Sequence, residues 1–297
     1  MASWQAHVAN FILRRTVRAK LVRSPTPETL RKAFGTMRPA VPRDCAATQA
    51  VVGGIRGEWL RTRRGDSRGT LLYLHGGAHV ACSPVTHRPL TSAFAKHEWQ
   101  VFAPDYRLAP EHRFPAGLHD VVAAYRGLLA DGVEPKSLVV AGDSAGGNLA
   151  LALCLSLRAA NVPMPAALAL FSPVTDFAWT GESIRTNSDS CAMFSHQILP
   201  HGTQFYLGGH NPRDPLVSPV YADLSGLPPM LVHASEHEIL RDDSVRIAER
   251  AQQAGVHVEF KTWPNVPHVW QMAHRWMPEG RESLELVHEF LRRYVPG

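Results

Sequence analysis

The stretch V-V-A-G-D-S-A-G-G-N-L-A-L, residues 139 to 151, joins an apolar run to a helix-like pattern through a small polar cluster. A strand that is buried on both faces is a nearly continuous apolar run. The cluster G-D-S-A-G fits the pattern G-x-S-x-G between a strand and a helix. Such a cluster either forms a merely tight turn or holds Ser144 in a strained turn as a nucleophile. The strand-to-helix context favours the nucleophile.

The residue types around Ser144 suit that role. Gly142 and Gly146 have no side chain, so they allow the backbone to approach closely in a strained turn. The predicted helix that follows directs its amino end towards the serine, where free N–H groups and the helix dipole favour negative charge. The stretch therefore predicts a nucleophilic hydroxyl beside an anion-stabilising helix end.

Outside this stretch, buried strands alternate with helices along most of the chain. The strand candidates are 48–52, 58–62, 70–75, 100–105, 137–142, 167–172, 230–235 and 256–261. The helix candidates are 86–97, 116–130, 145–160, 242–254 and 281–294. This alternation is typical of an α/β fold with a mainly parallel sheet.

Two segments depart from the alternation. Residues 1 to about 40 have a helical pattern that is broken at S-P-T-P, residues 24 to 27, where a new helix is expected to begin. Residues 176–226 are rich in Gly, Pro, Ser, Asn and His and contain only short helical pieces. That segment is too long for a plain loop in a compact domain, so it is interpreted as a functional insertion.

A second cluster of small residues, L-Y-L-H-G-G-A at 72–78, also ends a buried strand. Acyl transfer creates an oxyanion, and backbone N–H groups must converge on it. The candidate donors are the N–H groups of Gly77, Ala78 and Ala145, with Gly76 as a fallback. His75 is either a second catalytic histidine or, as we favour, a structural residue that orients this loop.

Three motifs together, H-G-G-A-H-V, D-Y-R-L-A-P-E-H-R-F-P-A and G-D-S-A-G-G-N-L-A, resemble the hormone-sensitive-lipase-like esterases, bacterial esterase family IV. They occur in the family's order, and the resemblance extends from about residue 70 to residue 275. It implies an α/β-hydrolase fold of roughly eight strands, the first antiparallel, flanked by helices and with a helical cap. Ala78 departs from the family, which usually has a third glycine there.

The resemblance also implies a division of the chain. Residues 1–45 would be an N-terminal helical cap segment, and residues 46–297 the α/β-hydrolase catalytic domain, with 176–226 contributing to the cap. A homodimer, formed through the last strand, is a further expectation that comes only from the family.

A serine hydroxyl needs a general base, and in this fold the chain order is serine, acid, histidine. His268 follows the last predicted strand in a loop, V-P-H-V-W, and is the candidate base. His257 is expected inside that strand and His274 on the next helix, so both are interpreted as structural or solvent-facing.

The orienting acid is expected in the loop E-H-E-I-L-R-D-D after strand 230–235, which offers Glu236, Glu238, Asp242 and Asp243. When the loop is compared with the family pattern, Glu238 takes the acid position where the family usually has aspartate. Asp242 and Asp243 suit the start of the next helix, since acids favour a helix amino end. Asp242 is nevertheless the runner-up acid.

Composition argues against several classes of protein and of site. The four cysteines are scattered, and no His pair has metal-site spacing, so neither a disulfide framework nor a metal is expected. No run approaches about eighteen apolar residues, so no membrane span is expected. The N-terminus has its arginines after its apolar patch, which is the wrong order for a signal peptide, and we infer a cytoplasmic location.

The net charge is +5, and up to Arg68 fourteen Lys or Arg face four Asp or Glu. We interpret this excess as solvated helix surface rather than a nucleic-acid site, because no nucleic-acid motif accompanies it. The sequence also shows no strongly apolar exposed lid segment, which disfavours a lipase for long-chain lipid.

The resulting hypothesis is a serine carboxylesterase for short- to medium-chain esters that forms an acyl-enzyme and needs no cofactor or metal. Its partner is a small-molecule ester. The first alternative is a deacetylase of a specific small molecule, such as a sugar or an antibiotic. The second is a non-catalytic small-molecule receptor on the same fold, against which the presence of serine, acid and histidine argues.

Overall fold

One eight-stranded sheet forms the centre of the computed structural model, which describes residues 2–65 and 67–295. In space the strands lie in the order β1-β2-β4-β3-β5-β6-β7-β8. Their bounds are Cys45–Val52 (β1), Ile55–Thr62 (β2), Gly69–Leu74 (β3), Trp99–Pro104 (β4), Leu138–Asp143 (β5), Ala167–Phe171 (β6), Met230–Ser235 (β7) and Val258–Trp263 (β8).

The sheet is parallel except around β2, which runs antiparallel to both β1 and β4. The expectation that the first strand would be the antiparallel one was wrong. Gly53 and Gly54 join β1 to β2 in a tight turn with positive φ angles of 58° and 81°. The chain reverses there and again before β3, so β1 has the same direction as the parallel strands.

Helices cover both faces of the sheet, as the alternation predicted. Successive side chains of β3 point to opposite faces of the sheet and enter two separate apolar clusters. Leu72 and Leu74 belong to the first cluster, and Leu71 and Tyr73 belong to the second. The first cluster packs against Ala116–Ala130 (α5), Ala145–Ala159 (α6) and Arg241–Gln253 (α9), and the second against Arg88–Lys96 (α4) and Pro278–Tyr294 (α10).

The N-terminal segment is helical, and the break predicted at residues 24–27 is present. The helix begins as Trp4–Leu13 (α1), continues as a π-helical stretch Arg14–Arg18 and ends as Ala19–Arg23 (α2). Pro27–Phe34 (α3) follows, and the Thr26 hydroxyl accepts a hydrogen bond from Thr29 N–H at its start. A capping hydroxyl followed by proline at the first helical position is a usual helix start.

The insertion at 176–226 contains only short helices, Ser183–Thr186 (α7) and Leu199–Leu207 (α8), together with single 3₁₀ turns. It packs against the N-terminal helices in a third apolar cluster, whose members include Val17, Leu21 and Leu30 from one segment and Phe177 and Tyr206 from the other. In residues 2–65 and 67–295, no helix combines the length and apolar character that crossing a bilayer requires.

Candidate active site

Ser144 lies in the turn between β5 and α6, where its backbone is strained. Its φ is 52° and its ψ −117°, a region that residues with a side chain rarely adopt. The turn is held because Ser144 N–H donates to the Phe171 carbonyl of β6 at 2.8 Å. The strained turn that the motif predicted is therefore present.

Two glycines make this turn sterically possible. A Cβ on Gly142 would lie 2.5 Å from the Gly146 carbonyl oxygen. A Cβ on Gly146 would lie 1.9 Å from the Leu74 carbonyl oxygen at the end of β3. Real Cβ atoms do not approach backbone oxygens so closely, so both positions require glycine.

His268 and Glu238 are brought together from loops after neighbouring strands β8 and β7. The Nδ1 atom of His268 forms a hydrogen bond with Oε2 of Glu238, and both residues are buried. The other carboxylate oxygen, Oε1, accepts from the Ser172 hydroxyl at 2.7 Å and from Ser235 N–H at 2.8 Å. Three donors thus fix Glu238, and the sequence analysis missed the two serines because neither belongs to a recognisable motif.

The second nitrogen of His268 has no such partner. Nε2 is buried and makes no hydrogen bond to any part of the chain that the structure describes. Ser144 and His268 line the same cavity, whose volume is about 560 Å³. The ring is packed edge-on against Phe194, with centroids 5.1 Å apart. A neutral imidazole oriented through Nδ1 leaves Nε2 able to accept a proton.

The other carboxylates of the loop are engaged elsewhere. Asp242 accepts from Ser183 N–H and from Arg241 Nη2, both at 2.8 Å. Asp243 accepts from Thr175 N–H at 2.6 Å and from Asp176 N–H at 2.9 Å. Both lie in the first turn of α9, as the sequence analysis expected.

His257 and His274, which were not chosen as the candidate base, lie in different local structures from those that the sequence predicted. His257 precedes β8 rather than lying inside it, and its Nε2 is 3.4 Å from Glu259. His274 ends the 3₁₀ turn Trp270–Ala273 and lies before α10 rather than on it. Strand β8 is at the sheet edge and only partly buried, so its sequence has no continuous apolar run that would show at which residue the strand begins.

Asp143, beside the serine, anchors the loop that follows β3. Its Oδ1 accepts from the Tyr73 hydroxyl at 2.7 Å and from Gly76 N–H at 3.1 Å, and His87 Nε2 lies 3.4 Å away. The N–H of Gly76 is therefore occupied, and the fallback assignment of Gly76 as an oxyanion donor is wrong. A Cβ at Gly76 would also strike Asp143 at 2.2 Å.

The remaining three donor candidates line the cavities that reach Ser144. Gly77 has φ 116° and Ala78 has φ 56°, and no hydrogen bond within residues 2–65 and 67–295 takes up either N–H. Ala145 is the first residue of α6, where an N–H has no partner in its own helix. Ala78 and Ser144 line both cavities, whereas Gly77 lines the larger one and Ala145 the smaller one.

His75 is held as part of this loop. Its Nδ1 lies 2.7 Å from the Gly76 carbonyl, and its ring stacks on Tyr106 with centroids 4.3 Å apart. Burial, with a contribution from nearby His87, lowers the pKa of His75 to about 3. Tyr106 belongs to the motif D-Y-R-L-A-P-E, and its hydroxyl donates to the His75 carbonyl at 2.6 Å. These contacts favour the structural interpretation of His75.

Two cavities of unequal size meet at Ser144. The larger, about 560 Å³, extends past His268 and the N-terminal helices. The smaller, about 80 Å³, lies between Leu21, Phe177 and Phe205. Both are lined mainly by apolar side chains, so the site can hold a substrate with two apolar parts on either side of a reactive group.

The cysteines are free thiols, and those near the site are not activated. Cys82 lines the larger cavity, yet burial raises its pKa to about 12, as it does for Cys154 inside the core. In the described ranges no group of three or more His, Cys, Asp or Glu side chains has the arrangement of a metal site.

Comparison with known proteins adds a family to this geometry. The family model for the α/β-hydrolase fold matches residues 71–272. The chain is 42% identical to an acetyl-hydrolase of Streptomyces hygroscopicus over 262 residues, covering 88% of this chain and 86% of that one. It is 37% identical to an esterase of Acinetobacter venetianus over 298 residues, covering 97% and 96%.

Solved structures agree with these relatives. An esterase from the bacterial hormone-sensitive lipase family superposes with a TM-score of 0.92 at 37% identity, covering 99% of both chains. An esterase/lipase from an uncultured bacterium superposes with a TM-score of 0.92 at 34% identity, covering 100% of both. The motif-based prediction of family and fold is confirmed: the chain belongs to the α/β-hydrolase family, in its hormone-sensitive-lipase-like branch, and is a carboxylic ester hydrolase.

Proposed function

We propose that the protein is a serine esterase in which Ser144, His268 and Glu238 act together through an acyl-enzyme. The observation that carries the proposal is the Glu238–His268 hydrogen bond, which leaves His268 Nε2 buried and without a partner, in the residues described, beside Ser144 in one cavity. A base oriented by a carboxylate next to a strained serine is the arrangement that nucleophilic ester cleavage needs.

In the acylation step, the Ser144 hydroxyl attacks the ester carbonyl carbon while His268 Nε2 takes its proton. Glu238 keeps the other ring nitrogen protonated and stabilises the imidazolium. The oxygen of the tetrahedral intermediate carries negative charge, and the N–H groups of Gly77, Ala78 and Ala145 stabilise it. His268 then donates its proton to the alcohol oxygen, the bond to the alcohol breaks, and the acyl group stays on Ser144.

In the deacylation step, water takes the place of the alcohol. His268 accepts a proton from that water, the resulting hydroxyl attacks the acyl carbon, and the bond to Ser144 breaks after the proton returns to its oxygen. Short- to medium-chain esters suit the site, because the smaller cavity of about 80 Å³ limits one part of the substrate.

We further propose that residues 1–45 and 176–226 act as the cap of the active site. Both segments line the cavities at Ser144, through Leu21 and Leu30 from the first and Phe177 and Phe205 from the second. A cover built from two separate segments excludes water while it shapes the substrate cavity.

A deacetylase of one particular small molecule is the second candidate. The similarity to an acetyl-hydrolase favours it, since the smaller cavity would admit an acetyl group. It would use the same residues, so the two proposals differ in the leaving group rather than in the mechanism.

The test compares wild type with Ser144→Ala on p-nitrophenyl esters from acetate to palmitate. Wild type should be most active on the short and medium chains, and the variant should lose activity by about 10⁶-fold, as expected when a serine nucleophile is removed. Circular dichroism and thermal unfolding should be the same for both proteins.

Residual activity near the wild-type value in the folded variant would overturn the serine mechanism. Activity that increases towards palmitate would contradict the chain-length proposal. Hydrolysis of acetate esters alone, with large differences among leaving groups, would favour the specific deacetylase.

A further inference from the structure

Helix α1 has an apolar stripe that faces solvent. The side chains of Trp4, Val8, Phe11 and Ile12 are 65%, 39%, 55% and 49% exposed. Their spacing places them on one face of the helix. A contiguous exposed apolar surface is uncommon on a monomer and marks a contact with another molecule or with lipid.

The stripe continues into the mouth of the larger cavity. Ile12 lines that cavity together with Met37 and Trp276, which are 51% and 41% exposed. Trp4 packs edge-on against Trp276, with ring centroids 5.6 Å apart. We define Trp4, Val8, Phe11, Ile12, Met37 and Trp276 as the mouth face. The sequence pattern did not indicate this exposed apolar surface, because the burial of a helix face depends on packing that the sequence does not show.

Positive charge is concentrated around the mouth face. Residues 1–40 contain eight Lys or Arg and one Asp or Glu, which is a net charge of +7, whereas the whole chain has +5. The remaining residues, 41–297, therefore carry a net charge of −2. Six of these basic side chains are exposed on the N-terminal helices and the turn after α3: Arg14, Arg15, Lys20, Arg23, Lys32 and Arg38.

Several of these cations are available to a partner. Arg15 lies over the Phe11 ring at 4.1 Å, so a cation and an apolar group share one spot of the surface. Among the residues that the structure describes, the acceptors of Arg14 are backbone carbonyls, those of Asp189 and Ser190. In the described part of the chain, neither Arg15 nor Lys20 forms an ion pair with a carboxylate.

We propose that the mouth face binds the surface of an anionic phospholipid bilayer. Apolar side chains of an interfacial helix enter the boundary between headgroups and acyl chains, while flanking Lys and Arg attract anionic headgroups. The charge of this region favours a lipid surface over a second copy of this chain as the partner of the mouth face. A two-fold dimer through this face would oppose two segments of net +7, whereas an anionic bilayer is complementary to them.

Docking of this face turns the mouth of the larger cavity towards the lipid. An ester dissolved in the bilayer would then enter between Ile12, Met37 and Trp276 without crossing bulk water. The binding itself does not depend on the serine mechanism, so it is measured separately from hydrolysis.

The experiment measures flotation with phosphatidylcholine vesicles that contain either no phosphatidylglycerol or about one third of it. The charge variant is Arg15→Gln/Lys20→Gln and the apolar variant is Val8→Gln/Phe11→Gln. Matched controls are Lys136→Gln and Val51→Gln, which change an exposed cation and an exposed apolar residue elsewhere on the surface. Circular dichroism and thermal unfolding report that each variant is folded.

Wild type should bind the anionic vesicles, and binding should weaken with salt. The charge variant should bind about 30-fold more weakly, since each basic residue near an anionic surface contributes about fivefold. The apolar variant should bind about tenfold more weakly or worse, because both inserted side chains are lost. The controls should bind as wild type does.

Three results would overturn the proposal. The first is no binding to anionic vesicles, or the same binding to neutral ones. The second is unchanged binding by both double variants. The third is concentration-dependent self-association that the apolar variant abolishes, which would assign the mouth face to a second copy of the chain.

Discussion

At the residue scale, the surroundings of Glu238 decide which form the neighbouring imidazole takes. One carboxylate oxygen is occupied by Ser172 and Ser235, so only the other is directed to His268 Nδ1. A carboxylate accepts hydrogen bonds and donates none when ionised. Nδ1 must therefore carry the proton, and Nε2 is left free for the role of base that we propose.

The change Glu238→Gln tests this arrangement. Glutamine has the same shape, but its amide can donate to Nδ1 and so stabilise the wrong tautomer. We expect kcat to fall by about 10⁴-fold while KM changes little, the loss known when such a carboxylate becomes an amide. Steady-state kinetics on a p-nitrophenyl ester measures it.

Asp242→Asn is the matched control, because Asp242 contacts Ser183 and Arg241 rather than His268. It should retain kcat within a few-fold. If Asp242→Asn lost activity and Glu238→Gln kept it, the runner-up acid would replace Glu238.

At the scale of elements, the site depends on how closely α6 approaches β3. Gly146, in the first turn of α6, faces the end of β3, where an added Cβ would lie 1.9 Å from the Leu74 carbonyl. Since Gly77 and Ala78 follow β3 and Ser144 precedes α6, this contact fixes the distance between the loop after β3 and Ser144. The strand and the helix act as one rigid support.

The change Gly146→Ala should therefore separate α6 from β3. We expect the free energy of unfolding to fall by about 3 kcal/mol or more, since the clash is with backbone that cannot rotate away. Urea unfolding measures the change. Gly202→Ala in α8 is the control, because a Cβ there has no neighbour within 4 Å, and better helix propensity should add up to about 1 kcal/mol. Equal stability of the two variants would contradict this argument.

The sequence predicted buried elements better than exposed ones. Strands β5, β6 and β7 are wholly buried, so their apolar runs marked them within a residue. The strand at the edge, β8, begins two residues later than its pattern indicated. Ser144, Glu238 and His268 became candidates through motifs and the family pattern, whereas the contacts of Ser172, Ser235, Tyr73 and His87 with the site come only from the fold.

At the scale of the whole molecule, many histidines are buried without charge. Burial lowers the pKa of His75, His79 and His233 to about 3 in each case. In the unfolded chain a histidine has a pKa of about 6.5. Below that pH the unfolded state binds protons that the folded state does not, so stability falls as the pH falls.

Stability should therefore decrease steadily between about pH 6.5 and pH 4, with each of these histidines contributing about 1.4 kcal/mol per pH unit. Urea unfolding at several pH values measures the slope. His233→Asn should be less stable at pH 8, since the contact with Ser283 changes, but its slope should be smaller. The same slope in wild type and variant would contradict a buried neutral His233.

The assembly of the molecule stays a prediction. The family resemblance suggests a homodimer through the last strand, and β8 is indeed an edge strand, with β7 as its neighbour in the sheet. A strand edge offers unpaired backbone groups to a second copy. The cap assignment likewise stays a proposal, since it depends on how segments 1–45 and 176–226 act during catalysis.

The unequal cavities at Ser144 also have a consequence for the enantioselectivity towards chiral esters. In the proposed mechanism, the attacking oxygen and the three N–H groups fix which face of the carbonyl carbon is presented, while spaces of about 80 and 560 Å³ lie to either side. When an ester has a stereocentre next to the reactive group, one enantiomer directs its large substituent into the large space. Its mirror image must force that substituent into the small one. We therefore expect the enzyme to hydrolyse one enantiomer of such an ester faster than the other, with a selectivity set by volume rather than by polar contacts.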